Sequence, residues 1–154
     1  VNTTKAKQLA LYVVLYSPLV MAADLIENYE NDPAFKFITD VPVTWSETKV
    51  LDAVIGDYVS IARRSGEEWY LGAITDENNR TLKLKFTFLE GSKKYEAEVY
   101  QDGPETDLRS NPGSIKISRI IVDKSTVLPV ELAQSGGIAV RLRPVGKGVS
   151  GNNH

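Results

Sequence analysis

The run Thr81-Leu82-Lys83-Leu84-Lys85-Phe86-Thr87-Phe88 decides the fold class. Leu82, Leu84, Phe86 and Phe88 fall on one side of an extended chain, with Lys83, Lys85 and Thr87 on the other. A strand with one buried and one wet face requires this alternation. The pattern recurs in Tyr95, Ala97 and Val99 against Glu96 and Glu98, and in Ile138, Val140 and Leu142 against Ala139, Arg141 and Arg143. Turn chemistry separates the runs at Arg64-Ser65-Gly66-Glu67, Asp76-Glu77-Asn78-Asn79, Glu90-Gly91-Ser92 and Gln101-Asp102-Gly103-Pro104. Strands are predicted near 48–55, 57–64, 68–75, 80–88, 94–101, 114–122, 127–133 and 137–143. Short strands at this spacing indicate a mainly β fold, an antiparallel eight-stranded β-sandwich.

Before Thr44 the pattern is helical. Thr3 or Thr4 can cap a first helix that Pro18 ends, since proline removes a donor and disfavours helix at Ser17. Leu19 to Ala23 reads either as another helical turn or as a short buried strand ending at Asp24. A second helix is expected from Asp32 or Pro33 through Phe35, Phe37 and Ile38, and Pro42 closes it. Leu9 to Tyr16 has no polar position, and a helix that is apolar all round belongs inside something larger. Lys5 and Lys7 ahead of an uncharged run outline a secretory signal, but two tyrosines and Ser17-Pro18 interrupt it. The run from Leu9 to Ala23 also falls short of the roughly 20 residues a membrane helix needs, so no membrane partner is expected. Residues 145–154 lack an apolar pattern and are expected to form a disordered tail.

Composition excludes more than it assigns. The chain has 154 residues, 18 Lys and Arg against 20 Asp and Glu, no Cys, and a single His at its last position, His154. Disulfides, thiolate zinc sites and a cysteine nucleophile are therefore excluded, as are a histidine general base and a metal held by two histidines. The slight acidic excess argues against a nucleic-acid partner. Asp76-Glu77-Asn78-Asn79 offers oxygen ligands but lacks the spacing of a dedicated calcium loop, and a hairpin turn explains it more simply. Glu67-Glu68 and Glu96/Glu98 could form an acid–base pair, but they read better as a solvated edge. Gly136-Gly137 is too short to cradle a phosphate and relieves a tight turn before the last strand. Among the aromatics, Trp45, Trp69 and Tyr100 are candidates for a sugar-stacking platform, and Trp69 and Tyr70 point to opposite faces of one strand, so at most one of those two is expected in the core.

Taken in order, a set of segments resembles the C-terminal end of glycoside hydrolase family 97, a family of α-glucosidases and α-galactosidases typical of gut Bacteroidetes. The segments are Gln8 to Val14, Ser17-Pro18 to Asp24, Glu27-Asn28-Tyr29, Asp40-Val41-Pro42-Val43-Thr44-Trp45, Gly56-Asp57-Tyr58, Trp69-Tyr70-Leu71-Gly72 and Ser135-Gly136-Gly137. Ile26, where proline is expected, and Ser46, where an acidic residue is common, depart from the pattern. The resemblance implies that residues 1–42 are the closing helix–strand–helix elements of a catalytic (β/α)8 barrel and residues 43–144 a C-terminal β-sandwich. It implies that Met21 and Asp24 line the sugar pocket of the intact enzyme, at the carboxyl end of a barrel strand. It also implies that the catalytic glutamates and the calcium lie in the parent's other parts, leaving no catalytic residue, metal or cofactor here. The expected role is scaffolding and homo-oligomerisation against the rest of the parent enzyme, in a periplasmic or secreted setting; the alternative is a carbohydrate-binding module.

Overall fold

A strand alternates in burial when one layer covers it, and loses that alternation where two layers do. In the computed structural model, which describes residues 4–15, 34–42, 44–103 and 114–146, both kinds of strand occur. The elements are α1 (Lys5–Val14), α2 (Phe35–Asp40), β1 (Glu47–Val54), β2 (Tyr58–Ser65), β3 (Glu68–Thr75), β4 (Arg80–Lys85), β5 (Tyr95–Asp102), β6 (Ile115–Val122), β7 (Val127–Leu132) and β8 (Gly137–Pro144). Among the described residues the eight strands form a six-stranded sheet, ordered β1-β2-β3-β8-β5-β6, and a two-stranded ribbon of β4 and β7. Every pairing is antiparallel. Between the two layers lies a core built around Trp69, Leu71, Leu84, Phe86, Val99 and Val140. The mainly β, eight-stranded sandwich expected from the alternation is the fold observed.

Three local expectations need correction. The strand expected to reach Phe88 ends at Lys85. Phe86 and Phe88 stay buried by leaving in a turn, closed by the Leu89 N–H donating to the Phe86 carbonyl at 3.0 Å. Residues 76–79 are a corner and not a hairpin, because β4 pairs with β7 in the other layer. The Asp76 carboxylate accepts the Asn78 N–H at 3.1 Å, and its carbonyl accepts the Ser135 N–H at 2.8 Å. These bonds stitch the corner to the β7–β8 turn as the chain changes layers. Finally, Trp69 and Tyr70 are both buried, at 2% and 0% exposure. They do point to opposite faces, but β3 is covered on both.

The second cover is helical. Leu9, Ala10 and Val13 of α1 and Phe37 of α2 pack with Tyr70 and Tyr100 on the sheet face turned away from the ribbon. The middle of the molecule is therefore three layers deep, and α1 buries Leu9, Ala10 and Val13 fully while Leu11, Tyr12 and Val14 stay half-buried. Helices normally stand off a sheet by the length of the side chains between them. Here two glycines let α1 approach more closely. A Cβ on Gly72 would lie 2.8 Å from the Ala10 carbonyl oxygen and 2.9 Å from the Val13 Cβ, and one on Gly137 would lie 2.6 Å from the Lys7 Cα. Backbone stands on the far side of these contacts, so neither can be relieved by a rotamer change. Gly72→Ala should therefore destabilise the chain by about 1–3 kcal/mol, the usual cost of overpacking, read as a lower urea midpoint. An unchanged midpoint would show that α1 does not sit in this groove.

Candidate functional site

The helix-bearing face of the sheet divides into two halves by register. One row runs Ile61, Gly72, Ala139, Tyr100, Ile117 across β2-β3-β8-β5-β6, and the row beside it runs Arg63, Tyr70, Arg141, Glu98, Arg119. Small and apolar residues in the first row make the trough for α1. The second row carries charge, and the next pairing on that side, Glu96 with Arg143 and Ile121, continues it.

Both ends of α1 are held by residues of the sheet. At its start the Thr4 hydroxyl accepts the Lys7 N–H at 3.2 Å, satisfying one of the free donors of the first turn. Asp102, buried beside it, accepts the N–H groups of Ala133 at 2.9 Å and Gly137 at 3.2 Å. Burial pushes its carboxyl above the ordinary aspartate range, against the lowering effect of hydrogen bonds from Thr4 and these two amides. At the other end Arg63, only 4% exposed, donates from Nε to the Val13 carbonyl at 2.5 Å and from Nη2 to the Val14 carbonyl at 3.0 Å. A guanidinium there satisfies orphan carbonyls and meets the negative end of the helix dipole.

Arg141 pins α2 in the same way. Its Nη1 lies 2.7 Å from Asp40 Oδ2 at the end of α2, its Nη2 lies 3.0 Å from Glu68 Oε1, and its guanidinium sits 6.0 Å from the Tyr70 ring. The Tyr70 hydroxyl lies 3.2 Å from both the Asp40 carbonyl and Glu68 Oε2. Burial would raise the Asp40 carboxyl, but the Lys36 hydrogen bond and the Arg141 charge outweigh it and hold it below the usual carboxylate range. Burial drives the phenols of Tyr70 and Tyr100 well above their ordinary value, so both stay neutral donors.

The carboxylates that could have formed an acid–base pair are matched to cations instead. Glu96 lies 3.1 Å from Arg143, and Glu98 lies 3.3 Å from Arg119 and 3.9 Å from Arg143. Each is committed to an ion pair within the fold, whereas an acid–base pair must face a glycosidic bond between its two carboxyl groups. Glu98 was expected on a solvated face and is 3% exposed, because Tyr100, whose hydroxyl donates to it, and the two arginines enclose it. Asp76 is engaged by Asn78 and Arg80, and among the described residues no group of three or more acidic or histidine side chains could hold a metal ion.

Nor do the candidate sugar-stacking rings share an open face. Trp69 is buried on the ribbon side, 5.0 Å from Phe88, while Tyr100 is 1% exposed on the helix side, 5.3 Å from Phe37. Trp45 is half-buried in a T-shaped contact with Tyr70, the ring centroids 5.4 Å apart. The platform reading is corrected for Trp69 and Tyr100: a ring must expose its flat face to stack on a sugar, and these two are buried in the core. Met21 and Asp24 lie outside the described residues. Sequence reasoning missed Arg63, Asp102 and Gly72. Gly72 breaks the apolar run of β3, which was a readable signal of close backbone approach.

Two measurements follow from this geometry. Arg63→Met should cost about 1–3 kcal/mol, because it removes the donors to the buried Val13 and half-buried Val14 carbonyls; a loss below about 0.3 kcal/mol would mean that the cap is not formed. Asp102 binds its proton more tightly folded than unfolded, so its contribution to stability is full below the ordinary aspartate pKa and is lost as pH rises through the raised folded value. Urea titrations across that acidic range should show this loss in the parent chain and not in Asp102→Asn. Equal slopes would contradict the burial of the charge.

Comparison with known proteins places this arrangement. Residues 44–143 match the family model described as "Glycosyl-hydrolase 97 C-terminal, oligomerisation". A retaining alpha-galactosidase of Bacteroides thetaiotaomicron is 38% identical over 141 residues, covering 91% of this chain and 21% of that protein. A probable retaining alpha-galactosidase of Streptomyces bingchenggensis is 26% identical over 87% of the chain and 20% of its own length. Among solved structures, a family 97 enzyme from Pseudoalteromonas sp. strain K8 in complex with acarbose superposes with a TM-score of 0.90 at 46% identity, over 94% of this chain and 23% of that one. The chain thus spans about a fifth of the length of the curated relatives it matches. It belongs to glycoside hydrolase family 97, and residues 44–143 are the C-terminal, oligomerisation-associated domain of that family.

Proposed function

We propose that this chain is the non-catalytic end of a family 97 enzyme that hydrolyses α-galactosides or α-glucosides. On this reading residues 1–42 close the catalytic barrel, and residues 43–144 brace that closure and supply contacts between subunits. The supporting observation is the position of the two helices. They precede the span matched to the C-terminal domain, yet α1 lies in a trough of its sheet, held by Arg63, and α2 packs on Tyr70 and Tyr100, held by Arg141. The likeness to the Pseudoalteromonas enzyme extends across 94% of the chain and so takes in this helical part as well.

A barrel closed this way brings Asp24 to the carboxyl end of its last strand, the side on which barrel active sites are built, with Met21 nearby. The remaining partners are the upstream parts of the parent, which carry its catalytic carboxylates and its calcium. A periplasmic or secreted location accords with the family resemblance.

The 154-residue chain should show no turnover of aryl α-galactosides or aryl α-glucosides. Hydrolysis by the purified chain would contradict the assignment. In the full-length enzyme, Asp24→Asn and Met21→Ala should each lower kcat/KM by about tenfold or more, a loss of about 1.4 kcal/mol at the transition state. Unchanged values would remove both residues from the pocket.

A further inference from the structure

The two ends of the six-stranded sheet are built differently. β1, at one end, breaks register between Val50 and Asp52 and carries charges of both signs at Glu47, Lys49 and Asp52. Bulges and charged side chains are standard defences of an edge strand against pairing with another chain. β6, at the other end, has no bulge, and its two charges, Lys116 and Arg119, are of one sign. Its register with β5 is unbroken over eight residue pairs, it contains no proline, and among the described residues no strand pairs with its outer side. Ile117 is 37% exposed and Ile121 57% exposed, on the face that also carries Arg119.

We infer that β6 is the contact between subunits, pairing antiparallel with β6 of a second copy about a two-fold axis through Ser118. This deepens the oligomerisation reading above by naming its partner and its site. The sequence of β6 is self-complementary in that register. Ile115 falls opposite Ile121 of the second copy, Ile117 opposite the aliphatic stem of Arg119, and Lys116 opposite Ile120, so no cation faces another directly. The Arg119 charge is already met by Glu98 at 3.3 Å within each copy, which lowers the cost of bringing two such strands together. Such pairing would continue the sheet from one copy into the next and satisfy the open row of backbone donors and acceptors.

The chain contains no cysteine, so a single introduced thiol reports cleanly. Ser118→Cys places two thiols across the axis, where directly opposed Cα atoms of an antiparallel pair stand about 4.5–5.5 Å apart, within disulfide range. Under mild oxidation Ser118→Cys should convert largely to a covalent dimer, whereas Thr48→Cys on β1 should not. Light scattering should show a dimer for the unmodified chain and for Ile55→Lys, and a monomer for Ile121→Lys, whose side chain is exposed enough to leave folding intact. A monomer at all concentrations would overturn both this contact and self-association through this domain. Association that persists in Ile121→Lys, with cross-linking at residue 48 and not at 118, would overturn the β6 contact alone.

Discussion

The arrangement depends on how closely a helix can lie against a β-sheet. At Gly72 and Gly137 the sheet has no side chain to hold α1 away, and the helix backbone comes within the distance a Cβ would occupy. Close approach leaves no room for solvent between α1 and the strands. It also desolvates the polar ends of the helix, which must then be satisfied by protein. Arg63 at one end and Thr4, with Asp102 behind it, at the other perform that task. The trough, the cap and the buried carboxyl are consequences of one contact.

That contact explains where the sequence was legible and where it was not. The residues that meet between ribbon and sheet recur at every second position, so Leu82 and Leu84 of the ribbon, and Ala97 and Val99 with Ile138, Val140 and Leu142 of the sheet, showed their strands and their buried side without any other information. The opposite face carries Glu98, Arg141, Arg143 and Tyr100, and a period-two reading assigns such residues to solvent. Tyr100 is enclosed because helices from the first forty residues cover it, Glu98 because Tyr100 and its guanidinium partners close around it, and Arg141 and Arg143 are drawn down by the carboxylates they meet. Pattern alone cannot show that a polar face is paired internally, since the partners come from strands far apart in sequence; Arg63 and Val13, for example, are 50 residues apart. The corner at Asp76 was misread for a similar reason. Its residues favour a turn, but whether the next strand folds back or crosses to another layer depends on β7, which the chain has yet to make.

The chemistry of the outer face fits a structural task. Its charges are closed into pairs, its buried phenols are kept neutral, and its aromatic rings face the core. A surface made this way fixes the position of what lies on it, here the two helices that precede the family's C-terminal domain. Polar, ion-paired contacts of this kind are common where domains of one chain meet. They specify orientation through geometry, while the glycine trough supplies the close packing beneath.

The central claim is that α1 is an integral layer of this domain and not a loosely attached leader. Site-resolved amide hydrogen exchange tests it directly, since a layer locked to the core opens only with the core. The account predicts that the amides of Leu9 to Val13 exchange with the same free energy and denaturant dependence as those of β3. Exchange of α1 at much lower free energy, while β3 stays protected, would contradict it.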